Sequence, residues 1–157
     1  MNDRYVFQYN FIEEKITKLH KIKDKYFSII DYDATTKKLL LSPKKYYNRG
    51  YTEPQPVAVI NNEEIIELKG LYKFAKFSKG AKHILTISDK NLAQIRDNNL
   101  KIIFEEKLKE GSYLLNKADE SFVVSNSFQQ IEFGKCFKES IIFALQKDNT
   151  FKSEKRE

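Results

Sequence analysis

The chain has one cysteine (Cys136), one methionine, no tryptophan, three prolines and five glycines in 157 residues. A single thiol excludes an internal disulfide and suits a reducing cytoplasm. The two histidines, His20 and His83, stand far apart, and no cluster of His, Cys, Asp or Glu has ligand spacing, so no metal site is predicted. Glycines scattered at 50, 70, 80, 111 and 134 exclude a glycine-rich phosphate loop. No apolar run reaches the ~18 residues of a membrane-crossing helix. The N-terminus lacks the uninterrupted apolar stretch of a secretion signal. A cytoplasmic protein without membrane association is expected. No internal repeat or low-complexity run stands out.

Catalytic constellations are equally sparse. Cys136 falls near the start of a predicted helix, where a helix dipole lowers a thiol's pKa, but a nucleophile also needs a histidine beside it. A small half-buried residue is the simpler reading. Glu105, Glu106 and Glu110 could pair as acid and base, yet they read as a solvated edge. No catalytic residue and no cofactor is assigned, and an enzyme is disfavoured.

What is present favours a folded domain with much sheet. Hydrophobic residues make up 41% and charged residues 32%, with twelve Phe and nine Tyr. Organisation centres on residues 63–96. There Ile65, Ile66 and Leu68, then Tyr72, Phe74 and Phe77, then Ile84, Leu85 and Ile87 read as three short strands. Ser88 and Asp89 stand where a helix N-cap belongs, ahead of Leu92 and Ile95 at helical spacing.

Upstream, residues 2–9 alternate as a short strand. Ile12, Ile16, Leu19, Ile22 and Tyr26 recur at three- and four-residue steps, which predicts an amphipathic helix capped by Asn10. Residues 27–30 and 39–41 flank a hairpin turn. Residues 43–56 hold all three prolines and read as a loop. Downstream, 57–60 and 64–68 form a hairpin, 100–104 fits either strand or helix with its β-branched pair favouring strand, 111–116 is strand-like, and 122–124 and 130–133 form a hairpin around Ser125–Asn126–Ser127. Lys135 to Lys147 closes as a helix with Phe137, Ile141, Ala144 and Leu145 on its apolar face, and the tail from Asp148 is polar and frayed.

The expected fold class is therefore α+β: a mainly antiparallel β domain with a short central helix, a C-terminal helix and an N-terminal amphipathic helix. Its divisions are 1–56, a helix–hairpin extension with a basic loop; 57–147, a β-rich domain; and 148–157, the tail.

Charge suggests a partner. A net charge of +6 favours anionic ligands. Segment 37–49 carries Lys37, Lys38, Lys44, Lys45 and Arg49 with no acidic residue, interleaved with Tyr46 and Tyr47. Lys69, Lys73, Lys79 and Lys82 fall at strand edges and turns, where long cationic stems can reach phosphates.

From about Val57 to Leu145 the order of elements resembles the LytTR-type DNA-binding domain of bacterial response regulators. The matching stretches are Glu64-Ile65-Ile66-Glu67-Leu68, Leu71-Tyr72-Lys73-Phe74, His83-Ile84-Leu85-Thr86, Asn91-Leu92-Ala93-Gln94-Ile95, Gly111-Ser112-Tyr113-Leu114-Leu115-Asn116 and Ile131-Glu132-Phe133-Gly134-Lys135. The family's His-Arg pair is Glu110-Gly111 here, its terminal Arg is Lys135, its proline is missing, and no receiver domain precedes the match. The resemblance implies a transcriptional regulator that contacts duplex DNA through loops of a β-rich domain. Lys73, Lys79, Lys82 and Lys135 would meet phosphates, with Ser112 and Asn116 near base edges. A homodimer is compatible with this reading. The alternatives are a non-catalytic protein-interaction module, or RNA and single-strand binding by Tyr46 and Tyr47 beside Lys44, Lys45 and Arg49.

Overall fold

Brief runs of β-branched and aromatic residues, punctuated by Asn, Asp, Ser and Gly, favour many short strands over a few long elements. The computed structural model describes residues 4–23, 25–26, 28–43, 54–61, 64–109, 113–118, 121–131 and 134–156. Among these run β1 (Arg4–Asn10), β2 (Lys15–Ile22), β3 (Ser28–Tyr32), β4 (Leu39–Ser42), β5 (Ala58–Asn61), β6 (Glu64–Glu67) and β7 (Tyr72–Phe77). They are followed by β8 (Ile84–Ser88), β9 (Leu92–Arg96), β10 (Ile102–Lys107), β11 (Tyr113–Ala118), β12 (Ser121–Ile131), β13 (Gly134–Leu145) and β14 (Phe151–Arg156). The sole helical element among the described residues is a three-residue 3-10 turn, Lys79–Ala81.

Within each sheet every pairing is antiparallel and joins strands adjacent in sequence. A two-stranded hairpin, β1–β2, precedes three four-stranded meanders: β3 to β6, β7 to β10 and β11 to β14. The first strands of the three meanders begin at 28, 72 and 113. Such a spacing, about 40–45 residues per four-stranded unit, is the one from which β-propellers are assembled. The residues themselves do not repeat; the meander does.

The sheets stack face against face. Val6 and Ile22 of the hairpin pack on Leu39, Leu41, Ala58 and Ile60. Leu40 and Val59 point the other way, against Tyr72, Phe77 and Ile84. Leu85, Ile87, Ala93 and Ile95 then meet Phe122, Ile141, Phe143 and Phe151 of the last meander. This explains the continuous apolar runs Leu39-Leu40-Leu41 and Ile84-Leu85: strands buried on both faces cannot alternate with polar residues. First strands also meet, since the Asp31 carboxylate of β3 accepts the Phe77 N–H of β7 at 2.9 Å.

The α+β expectation is corrected: the described residues are mostly antiparallel sheet, and the three predicted helices are replaced by strands. The N-terminal helix is replaced by a turn at 11–14 and β2. Asn10 does cap backbone donors, accepting from Ile12 N–H at 3.0 Å and Glu13 N–H at 3.3 Å, but the cap closes a hairpin turn. Its periodicity has a physical origin. Val6 pairs with His20 and Phe7 with Lys18, so Leu19 is a bulged residue. One extra residue turns the strand's two-residue step into three, which mimics a helix. Likewise Ser88 Oγ accepts from Lys90 N–H and Leu92 N–H, both at 3.2 Å, and turns the chain into β9 rather than starting a helix. The C-terminal helix is β13, held between β12 and β14. The hairpin expected around Ser125–Ser127 is one strand, β12, with register shifts between Ser125 and Phe128. The division expected after residue 56 falls between β4 and β5, which are paired neighbours in one sheet. The residues expected as a frayed tail supply β14, whose Phe151 is buried.

Candidate interaction surface

Of the residues singled out for phosphate contact, Lys73 lies toward one end of β7 and Lys79 and Lys82 beyond the other. Lys73 is the second residue of β7, and its Nζ donates to Asn91 Oδ1 at 2.7 Å beside the β8–β9 turn. Lys79 and Lys82 belong to the β7–β8 turn, at the far end of a six-residue strand. A strand of that length spans roughly 17–20 Å at about 3.3 Å per residue. Asn116 lies within β11 and Lys135 is the second residue of β13. Lys44, Lys45, Tyr46, Tyr47, Arg49 and Ser112 lie outside the described residues. Among the described residues no three His, Cys, Asp or Glu side chains gather as metal ligands. Glu105 accepts from the Gln94 side-chain amide at 2.7 Å across β9 and β10.

A different surface stands out: the outer face of the β1–β2 hairpin. Alternation along β1 sends Val6 inward, where it is buried, and leaves Tyr5, Phe7 and Tyr9 exposed. In register with them, β2 places Ile16 opposite Tyr9 and Lys18 opposite Phe7. Phe11 and Ile12 extend the row over the turn and are 84% and 95% exposed. Tyr9 and Phe11 meet edge to face at 4.8 Å, and Lys18 Nζ stands 3.4 Å from the Tyr5 ring centroid. Most of the large exposed hydrophobics among the described residues belong to this one hairpin. Contiguous apolar exposure on that scale marks interaction sites.

The inner face fixes the hairpin to the stack. Gln8 Oε1 accepts from Lys37 Nζ at 2.8 Å and Tyr32 Oη at 3.4 Å. His20 Nε2 donates to the Lys37 carbonyl at 2.7 Å, which sets that nitrogen as the protonated one. Behind the hairpin, Glu67 receives Lys25 Nζ and, at 2.5 Å, the Tyr26 hydroxyl. These donors hold the Glu67 carboxyl below its ordinary range. Burial and the bond to Glu67 push Tyr26 up to about 12.

Sequence reasoning saw the alternation of Tyr5, Phe7 and Tyr9 but assigned Ile12 and Ile16 to a buried helical face. The missed signal was Asn10: a turn former placed between two alternating runs makes the second run a returning strand. Comparison with family models, with curated proteins and with solved structures returned no match.

Proposed function

We propose that this chain is a non-catalytic protein-interaction module, a stack of β-meanders that presents the aromatic face of its N-terminal hairpin to a partner. One observation carries the reading: Phe7, Phe11, Ile12 and Ile16 are more than half exposed on a hairpin whose opposite face is anchored in the core. Covering one such side chain contributes about 1.5–3 kcal/mol, whereas an exposed lysine ion pair contributes about 0–1 kcal/mol. Apolar contacts on this face therefore outweigh its charges.

Duplex DNA binding, favoured by the net charge and by the sequence resemblance, needs its cations on a shared surface. Lys73 stands at the opposite end of β7 from Lys79 and Lys82, so it ranks below the interaction module. Single-strand binding keeps one supporting observation, the aromatic row of β1 beside Lys15 and Lys18.

Anisotropy titrations of random duplex and oligo(dT) at two salt concentrations test the proposal, using the wild type and a Phe7→Ser, Phe11→Ser, Ile12→Ser variant. The module reading expects no saturable binding of either probe at micromolar protein. Duplex binding that falls steeply with salt and survives in the variant would overturn it, because counterion release is the signature of phosphate contacts.

A further inference from the structure

The outer face of the β1–β2 hairpin is built in rows. Directly opposed residues of an antiparallel pair share a side of the sheet, so Tyr5 stands in a row with Lys21, Phe7 with Lys18 and Tyr9 with Ile16. Phe11 and Ile12 follow over the turn, and the exposed Glu13 and Glu14 close the tip. Lys15 pairs with Asn10, one residue out of step with Tyr9 and Ile16, so alternation turns it from this face. Lys18 leans back, its Nζ 3.4 Å from the Tyr5 ring centroid, which adds its charge to the row of Lys21. From base to tip the face therefore runs cationic, apolar and acidic, with the Tyr9–Ile16 row at its middle.

Such a face is complementary to itself. Consider a two-fold axis in the contact plane, at right angles to the strands and crossing the Tyr9–Ile16 row. It lays a second hairpin antiparallel on the first, with Tyr9 and Ile16 each meeting their own copies. Phe7 then falls on Phe11 of the other copy, and the Lys18 and Lys21 end falls on its Glu13 and Glu14. The parallel arrangement would set acid on acid and lysine on lysine. Area agrees with pairing: six apolar side chains, from Tyr5 at 38% to Ile12 at 95% exposed, offer on the order of 700 Å². A standard interface takes roughly 800 Å² from each partner.

We propose that the partner of this face is a second copy of the chain, packed hairpin on hairpin in the antiparallel two-fold arrangement. The inference rests on the interaction-module reading and names its partner. Covered aromatic surface supplies the affinity, while the solvent-exposed charges at both ends fix the register. Isologous contact of this kind closes on itself as a dimer and leaves no apolar row to recruit a third copy. A nucleic acid suits the face less well, because Glu13 and Glu14 at the tip repel phosphate.

Sedimentation equilibrium of the full chain between micromolar and millimolar protein tests the proposal. A dimer with a micromolar midpoint is expected, abolished by Phe7→Ser and unchanged by Lys152→Ala on β14. One variant carries Glu13→Lys and Glu14→Lys, and another carries Lys18→Glu and Lys21→Glu. Each alone should dimerise about tenfold more weakly. Mixed together they should recover the wild-type affinity as a heterodimer, since opposite charges then meet at both ends. A chain that stays monomeric, a dimer indifferent to Phe7→Ser, or a mixture no tighter than either variant alone overturns the proposal. The interaction-module reading survives any of these if the duplex and oligo(dT) titrations are blank, with a different protein as the partner. Salt-sensitive duplex binding overturns that reading whatever the sedimentation result.

Discussion

Single side chains set the turns that make the meanders possible. Asp97 Oδ1 accepts from Asn99 N–H at 2.9 Å and Lys101 N–H at 3.0 Å, and Leu100 adopts φ 64° in the same turn. Asp33 and Asp148 cap the β3–β4 and β13–β14 turns in the same manner, with Lys37 and Asn149 at positive φ. Asp97→Ala should therefore cost about 1 kcal/mol, a fall of roughly 2–4 °C in melting temperature for a chain of this size. No change would mean that the turn holds without its cap. The Lys25–Glu67–Tyr26 group gives a pH dependence. The Glu67 pKa is lower folded than unfolded, so its contribution is present above the ordinary glutamate range and is lost as pH falls through the folded value. Tyr26 is raised to about 12 from 10, so its contribution is intact below 10 and fades as pH climbs toward 12. Glu67→Gln should narrow the gap between urea midpoints at pH 7 and pH 3. An unchanged gap would place the acid sensitivity elsewhere.

Elements show where the sequence was legible. Runs bounded by turn formers were the legible ones: β3 with β4, β5 with β6, and the strands β7 and β8 fall where alternation and turn residues put them, whereas β10 and β11 overlap the expected 100–104 and 111–116 only in part. Errors gathered where side-chain caps and bulges imitate other structures. Asn10 and Ser88 satisfy backbone donors at a hairpin turn as they would at a helix start, because the local hydrogen bond is the same. The bulge at Leu19 lent β2 a helical spacing, and the shifts between Ser125 and Phe128 made β12 look interrupted. The candidate surface was hidden by the first of these errors, since a helix over 10–26 would have buried Ile12 and Ile16. The element assignment itself is testable at Ile95, fully buried between the second and third meanders in β9. Ile95→Ala should cost about 2–5 kcal/mol. A loss below 1 kcal/mol would remove β9 from that interface.

At the scale of the molecule, three meanders and a hairpin form a series in which each sheet covers the face of the next. Contiguous exposed apolar surface marks interaction sites, and the outer face of the hairpin exposes Tyr5, Phe7, Tyr9 and Phe11. That exposure supports the partner proposed for this face. A photoreactive benzophenone side chain placed at Phe11 and, separately, at the exposed Glu105 of β10 measures this most directly in cells. The account predicts a discrete protein adduct from position 11 that is absent from position 105. Adducts to nucleic acid from position 11, or equal labelling from both positions, would contradict it.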